Sequence, residues 1–192
     1  MQIITIPHRT LRTKAQEITK VDKKLIKFVK KLQDTLAEAR NPQGVGLAAP
    51  QVDRTWRVFA TQLPDKNGRL SARLIKHYIN PIITDRSGKL ILGETADDKD
   101  AREEGCLSMP GYYGPVPRSK WIELLWYELE GNELVKREAR FENFPARVIQ
   151  HEVDHLDGIL FTDYSLKYDL PVYKENRFGK LVEIDKSELE KF

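Results

Sequence analysis

The pattern His151-Glu152-Val153-Asp154-His155, set inside a run of helical periodicity, constrains this chain more than any other feature. Pro145 opens the run, Ala146, Ile149, Val153 and Leu156 recur as one apolar stripe, and Gly158 suits a left-handed C-terminal cap. Residues four apart on a helix differ by about 40° and rise about 6 Å, so both imidazoles lean to one side and can close on one small cation. Glu152 lies roughly 100° round from His151, where a carboxylate can reach a water polarised by that cation without itself becoming a ligand. Val148 shares the histidine face, while Ile149 and Val153 turn toward the core. The other two of the four histidines, His8 and His77, fall outside the pattern.

A catalytic metal site usually takes three protein ligands and keeps its fourth position open, so a third donor must come from elsewhere. Cys106, in Glu104-Gly105-Cys106-Leu107-Ser108, is the leading candidate. A thiol in a Gly-containing turn is exposed enough to bind and soft enough to hold iron or zinc. The plain alternative is a buried thiol packing as a small hydrophobe. As the single cysteine it excludes an internal disulfide and suits a reducing compartment. A further segment, Gly44-Val45-Gly46-Leu47-Ala48-Ala49-Pro50-Gln51, lets backbone approach a ligand closely and ends on an amide able to donate to a developing oxyanion. It has neither the lysine of a phosphate-binding loop nor the G-x-G-x-x-G spacing, which argues against nucleotide binding.

The 192 residues match one domain, 1–192, with 165–192 as a C-terminal tail. Asp22 caps a first helix whose apolar positions are Leu25, Val29, Leu32 and Leu36, and Asn41-Pro42 stops it. Strand-forming runs follow at Arg57 to Thr61, Ile75 to Ile83 and Lys89 to Leu92. Trp121 to Leu129 and Leu134 to Phe141 form a hairpin across Glu130-Gly131-Asn132-Glu133. Glu94 to Glu104 reads as a charged, loop-like insertion, Lys180 to Ile184 as a short strand, and Ser187 as part of one helical turn. The fold class is therefore α+β, with antiparallel β-sheets packed around the central metal-binding helix and an N-terminal helix. A formal charge of +3 reflects nearly balanced acids and bases, so Lys20 to Lys31 reads as a solvated helix face, with no nucleic-acid specificity. No leader pattern and no apolar run of membrane-spanning length are seen, which implies a cytoplasmic protein.

G-V-G-L-A-A-P-Q, E-G-C-L-S and Q-H-E-V-D-H, in that order, resemble the three signature motifs of the peptide deformylases. The resemblance covers Ile6 to about Tyr164, including Asn80-Pro81 and Val116-Pro117-Arg118. It implies that Cys106, His151 and His155 bind a metal, that Glu152 is the general acid/base, and that Gln51 and the Leu107 N–H form the oxyanion hole. It implies ferrous iron, with zinc, nickel or cobalt able to occupy the site, and N-formylmethionyl nascent peptides as partners. Gly44, Val45 and Gly46, with the segment after Ser108, would bind the peptide as an added strand, and Val45, Leu107, Val148 and Ile149 would form the methionine pocket. The stretch from Asn80-Pro81 to Glu104 is longer and more charged than in compact relatives, and Tyr112-Tyr113 stands on the rim where others often carry a basic residue. The tail shows no long amphipathic helix for firm ribosome docking, which leaves transient contact.

Two other readings use the same residues. A zinc endopeptidase would draw its third ligand from Glu175 or Glu183, leaving Cys106 and Gln51 without a role. A catalytically silent binder of peptide N-termini would have no use for Glu152 beside a cation.

Overall fold

A computed structural model describes residues 1–40, 43–65, 69, 71, 74–92 and 103–191. Asp22 caps helix α1 (Lys23–Glu38) by accepting the Leu25 N–H at 2.9 Å. Among the described residues eleven strands follow in chain order: β1 (Gly46–Ala48), β2 (Val58–Gln62), β3 (Ile75–Arg86), β4 (Leu90–Ile91), β5 (Glu103–Cys106), β6 (Met109–Pro115), β7 (Arg118–Ser119), β8 (Trp121–Glu130), β9 (Glu133–Glu142), β10 (Tyr173–Glu175) and β11 (Leu181–Glu183). Helices α2 (Asn143–Leu156) and α3 (Phe161–Tyr168) lie between β9 and β10.

An antiparallel sheet of order β1-β2-β3-β8-β9 divides two cores. Alternation along its strands sends Leu47, Val58, Ala60 and Ile79 to α1, where they meet Leu25, Phe28, Val29, Leu32 and Leu36. The opposite parity sends Ala48, Phe59, Tyr78, Ile122, Leu124 and Trp126 to Ala146, Ile149, Val153 and Leu156 of α2. Each fully buried valine, leucine, isoleucine or phenylalanine among them contributes roughly 1.5–3 kcal/mol. The second sheet, β11-β10-β6-β5, encloses a third cluster of Leu11, Cys106, Met109, Val116, Leu160, Phe161, Val172 and Leu189. Helix α2 thus turns its apolar stripe to one sheet and its histidines toward the strand that carries Cys106.

The β8–β9 hairpin closes where expected, with Glu130 opposite Glu133 and Gly131 at φ +63°, a conformation glycine adopts at little cost. Helix α2 begins two residues before Pro145, which sits in its first turn, where a missing N–H is harmless. Helix α1 ends at Glu38, before the expected stop at Asn41-Pro42, which lies outside the described residues. Of the expected insertion, only Glu103 and Glu104 are described, and they form a strand rather than a loop. The tail is more ordered than its sequence suggests, since β10 pairs with both β6 and β11. No helix among the described residues is long and apolar enough to cross a membrane.

Candidate metal centre

Helix α2 supplies His151 and His155, whose ring centroids lie 4.8 Å apart at 85°. Cys106 ends β5, where the register with β6 shifts between Gly105 and Cys106, an irregularity that re-aims a strand side chain. Its Sγ lies 3.2 Å from His155 Nε2, and the ligand atoms of Cys106, His151 and His155 all fall within 4.8 Å of one another. A Gly-containing turn leads one to expect an exposed thiol, but Cys106 is buried, because its strand lies over the third core cluster. Burial does not deprive it of partners, since the Gln51 side-chain amide and the Ser108 N–H both donate to the sulfur at 3.4 Å.

Behind His151 stands Glu104, whose Oε2 pairs with His151 Nδ1 at 3.0 Å, directing the other ring nitrogen inward. Arg118 grips Glu104 with both its Nε and one terminal nitrogen, at 2.9 and 2.8 Å, and extends its other nitrogen to Asp154. Arg147 donates to Glu104 Oε1 at 2.8 Å and to the carbonyls of Val116, Ile91 and Leu92. Tyr164 closes the network by donating to Asp154 at 3.1 Å. Burial would raise the Glu104 carboxyl, but the Arg118 charge, with hydrogen bonds from Arg118 and His151, holds it well below the usual carboxylate range. Burial would lower His151, yet its hydrogen bonds to Cys106 and Glu104 carry it well above the usual imidazole value. The surroundings therefore call for positive charge beside the thiol, which a divalent cation supplies. Burial and the neighbouring His151 charge push His155 the other way, well below the ordinary value, toward the neutral form that ligates metals. Replacing Glu104 by glutamine is expected to weaken metal affinity roughly 10–100-fold. It should also cost about 3–5 kcal/mol, because two buried guanidiniums lose their shared anion. Competition with a chromogenic chelator and thermal unfolding would read the two effects.

Glu152 is 3% exposed, and its Oε2 has no hydrogen-bond partner among the described residues. A buried carboxylate oxygen left bare is costly unless a ligand or reacting group uses it. Burial, moderated by His151 and reinforced by Glu104, raises its carboxyl to about 7. Gly46 is required directly above it, since a Cβ there would stand 2.1 Å from Glu152 Oε1. Gln51 sits in a 3₁₀ turn (Ala49–Val52) and is fixed by accepting the Ala48 N–H at 2.8 Å, which leaves its amide nitrogen facing Cys106. Around these groups opens a cleft of about 230 Å³, whose walls include Gly44, Val45, Gly46, Leu107, Val148 and Tyr113. Ile149 does not belong to it: one position on from Val148 turns its side chain fully into the α2 core. Nor do the acids of the peptidase reading, for Glu175 and Glu183 are exposed on β10 and β11 and are not in the Cys106, His151 and His155 group. His8 accepts the Thr10 N–H and His77 the Leu129 N–H, both in local structural roles.

Nothing in the motifs gives Glu104, Arg118, Asp154 or Arg147 a part in the site. The available signal was an acid two residues before the candidate thiol, together with Asp154 one helical turn after His151. Only the packing shows that Glu104, Arg118 and Arg147 are buried, that Asp154 is half-buried beside them, and that these charges face one another.

The sequence model of the polypeptide deformylase family matches residues 1–169. The peptide deformylase of Desulforudis audaxviator is 39% identical over 162 residues, covering 84% of this chain and 91% of that protein. Peptide deformylase 1 of Bacillus subtilis is 36% identical over 167 residues, covering 87% and 91%. Among solved structures, the Met-Ala-Ser-bound class I type b peptide deformylase of Acinetobacter baumannii matches with a TM-score of 0.69 at 32% identity, covering 85% of this chain and 97% of that one. The Plasmodium falciparum peptide deformylase matches with a TM-score of 0.70 at 30% identity, covering 85% of each chain.

Proposed function

This chain belongs to the peptide deformylase family, enzymes that remove the N-formyl group from nascent polypeptides, and from that premise we propose that Cys106, His151 and His155 hold its metal and Glu152 its catalytic proton. The observation that carries this reading is the convergence of one sulfur and two imidazoles within 4.8 Å, beside a buried carboxylate with an unpartnered oxygen. A soft thiolate with two imidazoles suits ferrous iron, zinc, nickel or cobalt, and we take iron as the native ion. When bound, the cation supplies Lewis acidity, lowering the pKa of water and offsetting negative charge that develops on the formyl oxygen.

The chain's own groups do the rest. Glu152 takes a proton from the attacking water and returns it to the leaving amine nitrogen, so that water and formamide become formate and a free N-terminus. A carboxyl near 7 suits both transfers at neutral pH. The Gln51 amide and the Leu107 N–H donate to the tetrahedral oxyanion. The peptide adds as a strand beside Gly44, Val45 and Gly46. The cleft runs between the edge strand β1 and the edge strand β5 of the second sheet, which supports that placement. Val45, Leu107 and Val148 contact the methionine side chain. Residues 1–192 act as one domain, a reading supported by Ile184 and Leu189 of the tail packing in the cluster that contains Cys106. Reaction on nascent chains puts the enzyme in the cytoplasm, in no more than transient contact with the ribosome.

Anaerobically purified, iron-loaded protein is expected to release formate from a formyl-Met-Ala-Ser peptide. Cleavage of an internal peptide bond instead would favour the endopeptidase, and peptide binding without formate would favour the silent binder.

A further inference from the structure

The exposed face of α1 carries its charges against the field of its own helix. Lys23, Lys24, Lys27, Lys30 and Lys31 occupy its first nine residues and are all exposed, whereas Asp34 and Glu38 follow near its end. At 100° per residue the five lysines fall within an arc of about 120°. Aligned peptide dipoles place partial positive charge at a helix N-terminus, so acids are favoured there and bases at the C-terminus. Here Asp22 at the N-cap is the one acid that the dipole favours at the start, while the first turn itself holds no acid and the last turn no base. Only Lys30 has an ion-pair partner among the described residues, Asp34 at 2.6 Å. Solvation alone would be served as well by glutamates, which the dipole would favour. The sign of the charge therefore needs another cause.

We propose that this face docks on the phosphates of structured RNA, without reading its bases, a role independent of the deformylase reading. Rows of lysine four residues apart repeat at about 6 Å and present compact cations to a phosphate backbone. Phe28 of the same helix, buried, meets Trp56 edge-on at 5.0 Å, and Trp56 also lines an open recess with Arg9 and Arg54. The one acid of that recess, Asp53, is engaged by Thr10 at 2.6 Å. A bilayer fits less well, because the apolar stripe of α1 is consumed by the core and leaves nothing to insert. Leu36, near the far end of α1, backs Gly44 of the cleft, so Lys24 stands roughly 18 Å along the helix from it and docking leaves the cleft open.

The test is fluorescence anisotropy of a labelled RNA duplex of roughly 20 base pairs with the full metal-loaded chain, titrated from about 50 to 200 mM salt. Wild type is expected to bind with a log–log salt slope of about −3 to −4. Combining Lys23→Glu, Lys24→Glu and Lys27→Glu should weaken binding roughly 100-fold at the lowest salt and flatten the slope by about 2–3. The same substitutions should raise Tm by about 2–5 °C, since they relieve the dipole, and leave formate release from a short formyl peptide unchanged. Failure of wild type to bind, equal binding by the triple variant, a lowered Tm, or binding to anionic vesicles or polyglutamate but not RNA would each overturn the proposal.

Discussion

Replacing Glu152 by glutamine is expected to lower kcat/KM for formyl peptides by roughly 10²–10⁴-fold, the usual share of a positioned general base, while fold and metal content stay as they are. The amide is nearly isosteric with the carboxylate, which matters because Gly46 leaves no room above it. It also carries no charge, so the 3%-exposed position is no harder to fill than in the wild type. Stability should hold or rise slightly, whereas a structural carboxylate would show the opposite. Formate release, metal per chain and Tm, measured on the same preparation, separate these outcomes. Unchanged turnover with full metal content would remove Glu152 from the mechanism.

Cys106→Ala is expected to act one step earlier, on the metal itself. Two imidazoles remain, but a donor within 3.2 Å of His155 is lost, along with the only anionic one of the three. Affinity should fall by more than the roughly 100-fold that losing an outer hydrogen bond to a ligand costs. The cavity left by one sulfur is small, so the apo protein should lose only about 1 kcal/mol. The contrast with Glu104→Gln is diagnostic, because that change keeps all three donors yet breaks a buried ion network. Cys106→Ala should thus bind metal worst and fold well, and Glu104→Gln should bind metal better and fold worse. Full metal content and peptidase activity in Cys106→Ala would favour a site completed by a carboxylate elsewhere.

Much of the scaffold was legible because its signals are local. Helix α1 is written in Leu25, Val29, Leu32 and Leu36, α2 in its own stripe, and the β8–β9 hairpin in two long runs around Gly131. Periodicity of this kind needs only near neighbours. The short strands β1, β5 and β10 carry too few residues to show a period, β6 is interrupted by Pro110, Gly111 and Gly114, and β10 bonds to a partner far along the chain, as when Tyr173 pairs with Tyr113. Ile149 illustrates the same limit within a helix: the stripe placed it correctly in the core, but its neighbour Val148 made it look available to the cleft.

The candidate site divides along the same line. That His151 and His155 share a helix face, with Glu152 one position on, follows from spacing alone, since helix geometry converts spacing directly into direction. Residue type makes Cys106 and Gln51 candidates, and the resemblance gives them roles. That these segments converge, and that Glu104, Arg118 and Arg147 are buried together behind His151 with the half-buried Asp154 beside them, depends on contacts between residues far apart in the chain. A charged residue carries no mark of burial in sequence. Whether it is solvated or desolvated, and therefore whether it tunes a metal ligand, depends on what the rest of the chain brings against it.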